Sequence, residues 1–188
     1  MTLDLEHRNG WPAELRLLLE RYPRASWRGH RSPGAVFWLS IHDGFRREAA
    51  ELSALADEYR AHRNTMRELA ARVSPRLRGM IAHLQGHHEI EDFHYFPSFR
   101  ETEKRLAAGF DALERDHEQL QQSIGAALAA ADAFWVAAQS VEPPSAAQLG
   151  AAERYLKASQ ELFDRLLRHL SDEEDLVIPL LIDRHSIY

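Results

Sequence analysis

Two stretches of this chain carry one pattern twice: a histidine, three residues, a glutamate, a second acid, four residues, then a proline. The first copy is His87, Glu91, Asp92 and Pro97, and the second is His169, Glu173, Glu174 and Pro179. The match extends upstream, where Leu84 corresponds to Leu166 and Ile81 to Phe163. On a helix, residues i and i+4 lie about 40° apart on one face. Each copy can therefore aim an imidazole and a carboxylate at one point, and the leucines place that point on the core side. A carboxylate and an imidazole buried together are costly without compensation. A divalent cation compensates both.

Two more histidines complete the set. His42 lies among Trp38, Leu39 and Phe45, and His117 among Phe110, Leu113, Leu120 and Ile124. Taken singly, such residues have bland explanations: a core histidine usually bonds a backbone carbonyl, and a lone His-x3-Glu is often a solvated pair. Two matched copies with two intervening histidines on apolar stripes favour a shared metal site. The candidate ligands are thus His42, His87, Glu91, His117, His169 and Glu173. The chain has eleven histidines and no cysteine. Disulfides, thiolate metal sites and a cysteine nucleophile are excluded. Imidazole and carboxylate donors suit iron, manganese or zinc.

The spacing of apolar residues predicts an all-α chain. Four long helices are expected over Ala35 to His62, from Ser74-Pro75 to before Pro97, over Phe110 to Ala138, and from Ala146 to Leu176, with Pro179 closing the last. Residues 63 to 74 read as a connection, and Pro143-Pro144-Ser145 as punctuation. β-branched residues are sparse and never alternate, so no strand is expected. Short links favour an antiparallel up-down four-helix bundle. Residues 1–34 form an N-terminal arm with a short helix ended by Pro23, and residues 35–188 form the bundle. The arm's Trp11, Leu15, Leu18, Leu19 and Trp27 suit packing on the bundle or a homodimer contact.

The formal net charge of −6 disfavours a general role on nucleic acid or an anionic membrane. The most apolar window, Ala126 to Ala138, is too short to span a bilayer and contains Asp132. The first residues lack an apolar run of signal-peptide type. A cytoplasmic protein is expected.

The set His42, His87-x3-Glu91-Asp92 with Phe96-Pro97, Glu114-x2-His117, and His169-x3-Glu173-Glu174 with Ile178-Pro179 resembles the hemerythrin-like, HHE cation-binding domain family. The resemblance covers about residues 35 to 182. It implies a four-helix bundle around two non-haem iron ions joined by an oxo bridge, with Glu91 and Glu173 bridging the metals and the four histidines as terminal ligands. It also implies binding or sensing of O2 or NO, or buffering of iron. A diiron oxidase or peroxidase and a structural zinc bundle are the alternatives. The family's oxygen carriers have a fifth histidine where this chain has Leu113. Glu114, His88 and His83 are candidate substitutes, and Glu114 or no substitute is favoured. His94, at i+7 from His87, is expected to pack in the core or support a ligand. Asp92 and Glu174 are expected beside the site, and His7, His30, His62 and His185 at the surface. A ferritin-like arrangement through Glu91-x2-His94 and Glu114-x2-His117, completed by Glu48 or Glu51 and by Glu173 or Glu174, ranks lower because it leaves His42, His87 and His169 unexplained.

Overall fold

The computed structural model describes residues 3–30, 32–139 and 144–184. Pro143 and His185 lie outside the described residues. Within them every regular element is helical. Six α-helices run in order: α1 Leu17–Arg21, α2 Pro33–Arg60, α3 Met66–Ile90, α4 Phe96–Thr102, α5 Ala107–Ala138 and α6 Ala146–Asp183. Short 3-10 turns cover Ala13–Leu15, Arg24–Gly29 and Lys104–Leu106. No helix among the described residues is long and apolar enough to cross a membrane.

The prolines stop less than the sequence suggests. Helix α3 begins at Met66 and runs through Pro75. Its start is fixed by a reciprocal cap: the Glu68 amide donates to Thr65 Oγ1 at 3.2 Å, and the Thr65 amide to Glu68 Oε2 at 2.7 Å. Pro75 is tolerated because it and Ala71, whose carbonyl loses a partner, both face solvent. Pro179 sits inside α6, where the buried Leu176, Val177, Ile178, Leu180 and Leu181 hold the helix despite the lost hydrogen bond. Ahead of Pro97, residues Glu91–Tyr95 form a π-helical turn, with the Phe96 amide bonding the Glu91 carbonyl. That wider turn carries the helix into α4 without a break.

By internal contacts the chain forms two compact units. The first comprises Met1–Gly44, His87–Glu118 and Arg165–Tyr188. Its core joins Phe96, Phe99, Phe110, Leu113 and Leu176 to the arm residues Trp11, Leu15, Leu18 and Trp27. The arm's apolar side chains are therefore covered by this chain itself. Helices α5 and α6 approach closely at Gly109, where an added Cβ would lie 2.5 Å from Leu176 Cδ1.

The second unit comprises Phe45–Gly86 and Gln119–Asp164. Leu52, Leu69, Leu77, Phe134, Tyr155 and Leu162 are buried in it, and the Phe134 and Tyr155 rings stack at 5.1 Å. Truncation there removes both burial and stacking. Phe134→Ala should cost about 3–5 kcal/mol of stability, read from urea unfolding; a loss below about 1 kcal/mol would mean that this packing contributes little.

Candidate metal centre

All six expected ligands fall in the first unit, on elements that bring them to one place. Helix α2 supplies His42, the end of α3 supplies His87, and the π-helical turn opens on Glu91. Helix α5 supplies His117, and α6 supplies His169 and Glu173 one turn apart. His42, Glu91, His169 and Glu173 have no solvent exposure. The donors form two groups, His42, His87, Glu91 and Glu173 in one and His88, His117 and His169 in the other, each with its ligand atoms within 4.8 Å of one another.

The two glutamates span the two groups. Glu91 Oε1 is 2.9 Å from His87 Nε2, and its Oε2 is 3.7 Å from His117 Nε2. Glu173 Oε1 is 3.4 Å from His42 Nε2, and its Oε2 is 3.3 Å from His169 Nε2. Each carboxylate thus turns one oxygen to each group. Within the groups, His42 and His87 face each other through Nε2 at 3.3 Å, and His117 and His169 through Nε2 at 3.1 Å. Two imidazoles arranged in this way direct lone pairs at a common point.

The outer nitrogens explain the orientation. His42 Nδ1 lies 3.0 Å from Glu174 Oε1, His117 Nδ1 2.7 Å from Asp92 Oδ1, and His169 Nδ1 3.4 Å from Asp116 Oδ2. A carboxylate acceptor keeps the proton on Nδ1 and leaves the Nε2 lone pair for a metal. The Trp38 indole N–H donates to Glu173 Oε1 at 2.5 Å, and its ring packs against His42 and His87.

The inner atoms are left short of hydrogen bonds. Both Glu91 oxygens, Glu173 Oε2 and His88 Nε2 are buried without a well-formed hydrogen bond, although imidazole nitrogens stand close to the carboxylates. Such atoms normally cost about 1–3 kcal/mol each, so a buried set of them fits a cation. The charges agree. Burial, and then the charge of Glu173, hold Glu91 well above the usual carboxylate range. Burial pushes Glu173 the same way, but His42 and His169 outweigh it and keep Glu173 ionised. Burial depresses His87 to about 3 and also lowers His88 and His117. Burial opposes protonation of His169 as well, yet Asp116 and Glu173 lift it to about 9.

The family model for the hemerythrin HHE cation binding domain matches residues 34–181. The chain belongs to this family. No curated protein and no solved structure matches it.

In this HHE domain the residue nearest to the role of a further nitrogen ligand is His88. It is 7% exposed, stacks on His117 with centroids 3.9 Å apart and planes 8° from parallel, and groups with His117 and His169. Its adjacency to His87 puts it about 100° round the helix, an argument against both serving one ion but not against each serving a different one. Glu114 lies outside both donor groups: Arg100 Nη2 holds its carboxylate at 2.6 Å. His83 is exposed against Phe45. His94 is exposed too, because the π-helical turn rotates it off the stripe that a regular helix would continue. Glu51 pairs with Arg76 at 3.5 Å. Asp92 and Glu174 stand beside the site as expected. Sequence reasoning missed Asp116, Trp38 as a donor, and the arm's Arg8; the one available signal was that Asp116 and Asp172 immediately precede ligand positions.

A metal that takes these ligands competes with protons on Glu91, His42 and His169. All three groups have raised pKa values, so each holds its proton below its own value and loses it above. Titration with cobalt(II) at about pH 7 should release at least one proton per chain, and apparent affinity should climb as pH rises toward about 9. A dye-monitored titration measures this; pH-independent affinity without proton release would contradict the assignment.

Proposed function

We propose that this domain holds two non-haem iron ions bridged by Glu91 and Glu173, and that it binds O2 or NO or buffers iron through them. The α2, α3, α5 and α6 helices would then form the antiparallel up-down bundle of the family. One observation carries the reading: each buried glutamate presents one oxygen to each histidine group. One ion would take His42 and His87, the other His88, His117 and His169, with both glutamates shared. The donors are imidazole and carboxylate without sulfur, which suits iron.

Such a pair supplies redox-active positions that the protein leaves open to a small ligand. This chain's residues set the conditions around it. Glu174, Asp92 and Asp116 orient the imidazoles. Trp38 fixes one oxygen of Glu173 and forms an apolar wall. A cleft of about 240 Å³ lies beside that wall, lined by Pro33, Gly34, Phe37, Trp38, Tyr95 and Leu181. Its lining carries no charged side chain and favours a small neutral molecule such as O2 or NO over a polar substrate.

Metal content of purified variants tests the ligand assignment. Glu91→Ala and Glu173→Ala should each lose most of the bound metal, and His88→Ala should weaken one ion by at least about tenfold. Glu114→Ala, His94→Ala and His62→Ala should load like the parent. Iron-loaded protein should change its optical spectrum reversibly with O2 or NO. Equal metal loads in all variants, or stoichiometric zinc without iron from native expression, would contradict the proposal.

A further inference from the structure

The arm precedes the matched family domain, yet it reaches the metal centre. Arg8 is buried, with its side chain 1% exposed. Its Nη2 lies 2.6 Å from Asp116 Oδ2 and its Nη1 3.4 Å from Asp116 Oδ1, while Nε donates to Asp172 Oδ2 at 2.8 Å. Nη1 also donates to the Leu3 carbonyl at 2.7 Å, and the guanidinium stacks over Trp11 at 4.3 Å. Trp11 in turn donates its indole N–H to the Asp172 carbonyl at 2.7 Å. Asp116 precedes His117 on α5, and Asp172 precedes Glu173 on α6. One arginine therefore ties together α5 and α6, two of the three helices that carry the nitrogen-rich group.

Asp116 uses the oxygen that Arg8 binds to face His169 Nδ1 at 3.4 Å. We infer that Arg8 is a positioning residue for the ion held by His88, His117 and His169, acting through Asp116. Its fork fixes Asp116 in the rotamer that accepts the His169 Nδ1–H, so that Nε2 points inward. Its guanidinium also bonds both buried acids, Asp116 and Asp172, at once. A buried ion pair is a weak source of net stability, since desolvation offsets attraction; the geometry it imposes is its larger effect. The N-terminal arm is on this account a working part of the metal centre and not only a cover for the core.

The inference rests on the two-ion reading above, and its test separates the two. Cobalt(II) is titrated into the full chain and followed by its visible absorption bands. Parent protein should take up two ions. Arg8→Gln should bind one ion like the parent and the other about 10–100-fold more weakly, with altered bands for the weakened ion. Asp116→Asn should do the same, and it decides the question if Arg8→Gln does not fold. Leu15→Ala loosens the arm's packing without touching Asp116; it should lower the unfolding temperature while both affinities hold. Arg8→Gln and Asp116→Asn binding both ions like the parent would overturn the inference alone. So would Leu15→Ala matching their loss. Parent protein that fails to bind two ions would overturn the two-ion reading itself.

Discussion

Two glutamates with no solvent exposure, side by side among histidines, are the constraint on which this structure turns. Glu91 and Glu173 cannot both be ionised in such a place without a balancing charge. Without metal, burial and the charge of Glu173 push Glu91 toward its neutral form, and His42 and His169 balance Glu173. With a cation on either side, both can be ionised and every inner donor has a partner. The four long helices, the close approach at Gly109 and the outer carboxylates all serve to hold that cluster dry and aligned.

The cluster is not symmetric, although the sequence repeat is. One group has two imidazoles and the other three, because His88 has a leucine, Leu170, as its counterpart in the second copy. The outer shell differs as well. Glu174 supports His42 from the residue next to Glu173, and Asp92, next to Glu91, supports His117 in the same way. Those two contacts are related by the repeat. Asp116 supporting His169 is not, and it is tied to the arm through Arg8.

The core of this centre was legible in the sequence because His-x3-Glu needs only helical periodicity to be read. Helix α2 and the third long helix followed from apolar spacing to within a few residues. The prolines misled, since Pro75 is satisfied by solvent and Pro179 by packing, and neither effect has a local signature. The π-helical turn at Glu91 was invisible for a related reason: it depends on where the chain must go beyond Pro97, and it is what turns His94 outward. His88 ranked behind Glu114 because it directly follows a ligand position, and its burial and stacking on His117 have no local signature. Arg8 could not be found at all, because its carboxylate partners lie more than 100 residues away.

Magnetic coupling between the two ions is the most direct test of the central claim, that Glu91 and Glu173 join two metals in one chain. A low-temperature Mössbauer spectrum of the oxidised, iron-loaded protein reads it. The account predicts a pair of antiferromagnetically coupled ferric ions with a diamagnetic ground state. Magnetically isolated ferric ions, or a single iron per chain, would contradict it.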